Sequence, residues 1–159
     1  MAIEEPEFEI VSELENYEIR YYQERLVVQT KYESQNCAFR KLFKYISGSN
    51  EDSKKISMTI PVTQVNSDKG NLMQFYLPKK FKKSNLPLPD DNSIEVSVIE
   101  AGHYAVLRFS GRPNNKNFSE HSEILKSYLE SDGILIVSSP IKATYNLSLI
   151  HISEPTRLL

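Results

Sequence analysis

The sequence predicts an α+β fold, in which two helices pack against a pseudo-twofold β-sheet or distorted barrel. Apolar residues alternate with polar ones in several short segments, and two longer segments carry apolar residues at helical spacing. The pattern also repeats along the chain. The triplet 17–19 matches the triplet 94–96 at an offset of 77 (94 − 17), and Phe39 matches Phe118 at an offset of 79 (118 − 39). The spacing therefore predicts a duplicated unit.

Three strands and a helix are predicted in the first third of the chain. Alternation predicts strands from Phe8 to Leu14, from Tyr17 to Tyr21 and from Leu26 to Tyr32. The period then changes, and a helical apolar stripe runs from about Ser34 to Ile46. Gly48 suits the left-handed residue just after a helix.

The same order of elements is predicted further along the chain. Strands are predicted at 55–62 and 72–77, and a proline- and lysine-rich loop at 78–93. The second copy then follows. Its expected elements are strands at 94–98 and 103–109, a helix starting near Asn114 or Asn117 and stopped by Asp132-Gly133, and strand-like sequence from Ile134 to Leu147.

Composition restricts the classes of protein to consider. A chain of 159 residues with a net charge of −2 fits one domain and disfavours binding through neutralisation of nucleic-acid phosphates. Cys37 is the only cysteine, which excludes an intramolecular disulfide and a cysteine metal cluster. The longest aliphatic run, 134–137, is far too short to span a membrane. We expect a cytoplasmic protein, with an organelle left open.

Several segments, in order along the chain, resemble the SOUL haem-binding protein family. They are Tyr17–Tyr22, Ala38-Phe39, Tyr45–Asn50, Met58-Thr59-Ile60-Pro61-Val62, Phe75–Pro78, Leu86–Asp90 and Phe109-Ser110-Gly111. The resemblance covers roughly residues 8–146, which we treat as a single SOUL-like domain. It implies a distorted antiparallel β-barrel built from a duplicated unit and flanked by two long helices. It also implies reversible binding of haem or related tetrapyrroles.

The sequence departs from the family pattern at two places. Some members have a histidine, proposed as a haem-iron ligand, where this chain has Tyr21. Tyrosine can ligate ferric haem, whereas other members hold the porphyrin by apolar contacts alone. Residues 147–159 form an atypical tail, which we expect to be non-native; the last strand of the family fold would then be missing and would leave an unpaired sheet edge.

A porphyrin needs an apolar floor and cations for its carboxylates, and the first predicted helix supplies both. Phe39 and Phe43 would form the floor, with Arg40 and Lys44 at the rim. The further candidates are Tyr21 as a haem-facing residue, Met58 as a ring contact and His121 as an alternative iron ligand. Each has a structural alternative: core packing for the aromatic residues and Met58, a solvated surface for the basic residues and a locally hydrogen-bonded side chain for Tyr21 and His121.

No catalytic motif and no metal-ligand pattern is apparent in the sequence. We therefore predict a non-enzymatic tetrapyrrole carrier or buffer with an apolar groove and a basic rim. The alternative is a protein-interaction or regulatory module that keeps the fold without binding a tetrapyrrole; a small-molecule enzyme ranks lower. The sequence indicates no specific protein partner.

Overall fold

The structure, a computed structural model, describes residues 4–67, 70–109, 115–145 and 156–158. Within these residues, two helices, α1 (Gln35–Ile46) and α2 (Asn115–Ser131), accompany nine strands. The strands are β1 (Phe8–Glu13), β2 (Glu18–Tyr22), β3 (Arg25–Lys31), β4 (Val62–Ser67), β5 (Gly70–Tyr76), β6 (Ile94–Ile99), β7 (Gly102–Phe109), β8 (Ile141–Thr144) and β9 (Thr156–Leu158). The predicted α+β class and both helices are confirmed.

The nine strands form one sheet in the order β1-β2-β7-β9-β8-β4-β5-β3-β6, and each neighbouring pair is antiparallel. In the described residues, β1 and β6 are the two ends of this order and do not pair with each other. The antiparallel sheet that was predicted is therefore present, whereas closure into a barrel is not confirmed.

The sheet has the twofold symmetry that a duplication predicts. Exchanging β2 with β6, β3 with β7, β4 with β8 and β5 with β9 reverses the strand order from β2 to β6 without otherwise changing it. The register obeys the same rule. Tyr22 pairs with Gly102 and Ile99 pairs with Arg25, and both equivalences, 99 − 22 and 102 − 25, give an offset of 77.

Each helix covers part of one half of the sheet. Helix α1 packs on β3 and β5, and α2 packs on β7. The larger core lies under α1; its buried members include Val28, Ala38, Leu42, Tyr45, Ile46, Val62, Met73 and Phe75. The smaller core lies under α2 and contains Tyr17, Phe109, Leu125 and Leu129. Burying these apolar faces fixes both helices on the sheet.

Two predicted strands are wrong in position. The segment predicted as a strand at 55–62 is a loop as far as Pro61, and the strand begins only at Val62. Pro61 has no N–H to donate to a ladder, and the Ile56 N–H donates instead to the Ile46 carbonyl at 2.7 Å. Likewise, only Ile141–Thr144 form a strand among the described residues of the segment 134–147. This strand begins directly after Pro140.

Of the predicted atypical tail, the structure describes Thr156–Leu158. This segment is β9, which pairs with both β7 and β8. Without β9, one edge of β7 and one edge of β8 would be unpaired. Neither helix in the described part of the chain is long and apolar enough to cross a membrane.

Candidate functional site

Helix α1 is fixed at its C-terminal end by a buried asparagine. The Asn50 amide nitrogen donates to the carbonyls of Tyr45, at 3.0 Å, and Lys54, at 2.8 Å, and its oxygen accepts the Lys54 N–H at 3.0 Å. The Tyr45 hydroxyl donates to the Pro87 carbonyl at 2.6 Å. These bonds hold the helix end against the loop that follows it, so the outer surface of α1 is presented on a rigid support.

The outer surface of α1 carries a pair of stacked phenylalanines. The rings of Phe39 and Phe43 lie 6.1 Å apart, centroid to centroid, with an interplanar angle of 14°. Phe39 also meets Phe75 of β5 edge to face, at 5.2 Å, whereas Phe43 is 49% exposed. The core thus extends through Phe39 to a flat aromatic surface in contact with solvent.

Basic residues follow these phenylalanines along the same helix. Arg40 and Lys44 each come one residue after a phenylalanine, so they lie about 100° around the helix axis from the ring pair. Both are exposed, and with Lys41 they line a hollow of about 490 Å³. The aromatic surface and the basic surface therefore run side by side along α1.

The opposite wall of this hollow carries carboxylates. Asp90 and Asp91 line it, and Lys41 donates to the Ser93 hydroxyl at 3.3 Å. Hydrogen bonds from the hydroxyl and the backbone N–H of Ser93, followed by the nearby charges of Lys41 and Lys44, lower the pKa of Asp91 below its usual value. The basic surface is thus partly neutralised by Asp91, on the side away from the phenylalanines.

Met58 lies in the loop before β4 and packs, half-buried, against the α1 core, as Phe39 does. The neighbouring Thr59 hydroxyl donates to the Tyr76 carbonyl at 2.5 Å, which holds the loop on the sheet. Met58 therefore belongs to the same region of the molecule as Phe39.

Tyr21 and His121 belong to the other half of the sheet. Tyr21 pairs with His103 in the β2–β7 ladder, and their rings lie 5.0 Å apart. His121 projects from α2 and stacks on Phe109 of β7 at 4.2 Å, with its Nδ1 2.8 Å from the Asn117 carbonyl. The predicted site residues thus form two groups: five associated with α1, and Tyr21 and His121 on the side of α2.

Two cavities were not predicted from the sequence. One, of about 490 Å³, lies between α2, β7 and the loop at 134–140, whose Leu135 and Val137 are 84% and 88% exposed. The other, of about 600 Å³, is lined in part by Arg25. The apolar residues at 134–137 were visible in the sequence, but they were assigned to a strand. The second cavity brings together segments that are far apart in the sequence, which spacing along the chain cannot reveal.

The fold and the α1 surface together define an α+β protein of two related halves, with an aromatic and basic face on the first helix. The model of the SOUL heme-binding protein family matches residues 3–153, and the chain belongs to that family. Heme-binding protein 1 of Sus scrofa is 31% identical over 100 aligned residues, and Heme-binding protein 2 of Homo sapiens is 28% identical over an alignment that covers 89% of this chain and 81% of that protein.

The match to the Sus scrofa protein covers 58% of this chain and 52% of that protein, so the chain spans about half the length of the curated relatives it matches first. Solved structures share the fold at low sequence identity. The EcmrR C-terminal domain superposes with a TM-score of 0.64 at 14% identity, covering 89% of this chain and 94% of that one. A hydrolase from Listeria innocua gives a TM-score of 0.56 at 9% identity, covering 93% and 92%.

Proposed function

We propose that this chain binds haem or a related tetrapyrrole reversibly, as a non-enzymatic carrier or buffer, on the outer surface of α1. The observation that carries the proposal is the Phe39–Phe43 pair, a flat apolar surface that is open to solvent and flanked by two cations. Membership of a family described as heme-binding, and relatives whose names describe the same binding, support the choice of ligand.

The aromatic pair provides the apolar floor. Leaving half of a phenylalanine exposed is unfavourable, and a porphyrin face that covers Phe43 would remove this area from water. Phe39 is held by its edge-to-face contact with Phe75, so the floor is ordered before any ligand arrives. Such preorganisation limits the entropy lost on binding.

Arg40 and Lys44 provide the rim. Both are exposed and lie one residue after a floor phenylalanine, so two propionates at one edge of a porphyrin would meet a guanidinium and an ammonium. Lys41 donates to Ser93 and faces Asp91, and is the weaker candidate for this role.

The two candidate axial ligands are not on this surface. Tyr21 and His121 belong to β2 and α2, whereas α1 packs on β3 and β5. The proposed mode of binding is therefore stacking and charge pairing, with weak or absent axial ligation. When bound, haem would supply its own iron chemistry, and the residues of α1 would only hold and orient the ring.

The test is an absorbance titration with ferric haem and with iron-free protoporphyrin, compared among the wild type, an Arg40→Gln/Lys44→Gln double variant and a Lys126→Gln control on α2. We expect saturable one-to-one binding of both ligands to the wild type and the control, and weaker binding to the double variant. Protoporphyrin dimethyl ester should bind the wild type and the double variant alike, because it has no propionate charge. Equal losses of the acid and the ester would refute the rim.

A protein-interaction role on the same fold is the second candidate, and the exposed apolar loop with Leu135 and Val137 favours it. A folded sample that gives no Soret change with haem and no quenching with protoporphyrin would exclude the tetrapyrrole proposal. In that case a Leu135→Ser/Val137→Ser variant would show whether binding to a protein partner depends on the loop.

A further inference from the structure

A cage of three tyrosines surrounds Arg25, on the opposite face of β3 from α1. The Arg25 guanidinium donates to the hydroxyls of Tyr104, at 3.0 Å, and Tyr76, at 3.4 Å, and its Cζ lies 4.6 Å from the ring centroid of Tyr22. Nε donates to the Gln23 carbonyl at 3.0 Å. The tyrosines come from β2, β5 and β7, so the folded sheet builds the cage around this one cation.

Arg25 has no carboxylate partner among the described residues. The nearby Arg20 of β2 contrasts with it, because its guanidinium pairs with Glu18 at 2.5 Å. Arginine stays protonated at any ordinary pH, and a partly buried charge without a counterion is costly even where aromatic rings offset part of the loss. The half-buried Arg25 is therefore an anchor suited to an anion.

Arg25 lines a cavity of about 600 Å³, a size typical of small-molecule sites. Apolar side chains form much of the wall: Leu26, Tyr76, Leu77, Phe81 and Val98. An apolar wall with one guanidinium fits a ligand that has an apolar body and a single anionic end. None of the described lining residues belongs to α1, so this cavity is separate from the proposed tetrapyrrole surface.

Charged groups of both signs line the cavity as well. Its acidic residues are Glu4, Glu5, Glu7 and Glu24, and its lysines are Lys79, Lys82 and Lys83. Glu4 accepts the Lys79 backbone N–H at 2.7 Å, and Glu7 pairs with the Lys79 ammonium at 3.1 Å, where both side chains are more than three-quarters exposed. The four glutamates and three lysines nearly cancel in charge, and the exposed Glu7–Lys79 ion pair contributes little energy. The anchor for an anion is thus Arg25 itself.

We propose that this cavity binds a small amphiphilic carboxylate, such as a medium-chain fatty acid, with the carboxylate on Arg25 and the apolar chain along the apolar part of the cavity wall. Three of the five N–H groups of Arg25 donate to Gln23, Tyr76 and Tyr104, which leaves one N–H on each terminal nitrogen. A carboxylate can accept from both of these, which gives the site a preference for acids over alcohols of the same length.

Calorimetric titration of the full chain with decanoate and with decanol, each below its aggregation limit, tests the proposal. We expect decanoate to bind at least tenfold more tightly than decanol. Arg25→Gln should remove this preference, and Arg25→Lys should retain part of it, because the charge remains and the fork is lost. The Arg40→Gln/Lys44→Gln variant should bind decanoate like the wild type.

Equal affinity for acid and alcohol in the wild type would overturn the proposal, even if Arg25→Gln fails to fold. A preference for decanoate that survives in a folded Arg25→Gln variant would overturn it too, as would loss of binding in the α1 variant. As an independent signature, the NMR resonance of the Arg25 Nε–H should shift on addition of decanoate and stay in place with decanol.

Discussion

His121 stacks on Phe109 with an interplanar angle of 11° and a centroid separation of 4.2 Å, and the stack joins α2 to β7. Nδ1 of His121 lies 2.8 Å from the Asn117 carbonyl, which can only accept a hydrogen bond, so this nitrogen is engaged on α2 itself. Imidazole is a common iron ligand through its other nitrogen. The stack nevertheless gives His121 a packing role, between a helix and the sheet.

Replacing His121 by Ala should therefore lower stability without affecting tetrapyrrole binding. Loss of the stacked pair should cost about 1–2 kcal/mol of unfolding free energy, measured by urea denaturation. The haem affinity, measured by Soret titration, should change less than twofold because the proposed surface lies on α1. A haem-specific loss of affinity, with protoporphyrin binding intact, would instead identify His121 as the iron ligand.

Replacing Phe43 by Ser should have the opposite effect to His121→Ala: tetrapyrrole binding should weaken and stability should hardly change. Phe43 is 49% exposed, so the unfolding free energy should change by less than about 1 kcal/mol. Haem and protoporphyrin should both bind at least severalfold more weakly, because the floor loses its exposed ring.

A Phe39→Ala variant is the companion to this experiment. Phe39 packs on Phe75 and belongs to the edge of the α1 core, so its truncation should lower stability as well as affinity. Unchanged porphyrin binding in the folded Phe43→Ser variant would show that the ring does not lie on this pair.

Replacing Asn50 by Ala should destabilise the whole α1 half. Asn50 is 2% exposed, and its side chain bonds to backbone groups of Tyr45 and Lys54. Because buried backbone groups would lose their partners, we expect a cost of about 2–4 kcal/mol in urea unfolding. Asn36→Ala, an exposed asparagine in the first turn of α1, is the matched control and should change the stability far less.

Tyrosine ionisation should lower stability at alkaline pH. Burial, foremost, raises the pKa of Tyr45 and of Tyr76 to about 12, and burial together with the Asp132 carboxylate does the same for Tyr17. In the unfolded chain these groups titrate near 10. Their folded pKa is raised, so the neutral form is favoured by folding; their contribution is fully present below about pH 10 and is lost as the pH rises towards 12.

Phenolate absorbance measures this titration directly. Of the nine tyrosines, the three with a pKa of about 12 should ionise late in the folded protein, and burial raises the pKa of Tyr32 as well. All nine should ionise together near pH 10 in denaturant. A single transition near pH 10 in the folded protein would contradict the burial of Tyr17, Tyr45 and Tyr76.

The repeat was the part of the fold that the sequence predicted best. Strand alternation and helical spacing are local properties, so each copy of the unit could be recognised separately and the two copies compared. The offset of 77 read from residues 17–19 and 94–96 reappears in the register that pairs Tyr22 with Gly102 and Ile99 with Arg25. The strand predicted at 55–62 failed because alternation was counted through Pro61, whose missing N–H delays the strand to Val62.

The site was predicted less completely, since sequence spacing places residues on one helix but not on different strands. Phe39, Phe43, Arg40 and Lys44 share α1, and their neighbourhood could be predicted. The meeting of Arg25 with Tyr76 and Tyr104 depends on two strand registers across the sheet. The separation of Tyr21 from α1 likewise follows from strand order, which the sequence does not reveal.

The twofold strand order has a consequence for how this chain folds and how it arose. One copy of the unit alone would leave one edge of β2 and one edge of β3 unpaired, since their neighbours β7 and β6 belong to the other copy. Two separate copies could complete both pairings only by associating as a symmetric dimer, so the present chain corresponds to a dimer joined into one polypeptide. The joining has a kinetic effect: Tyr22 and Gly102 stand 80 residues apart (102 − 22), and Arg25 and Ile99 stand 74 apart (99 − 25). Contacts so distant along the chain slow folding, and these two ladders are expected to form after the hairpin of β4 and β5.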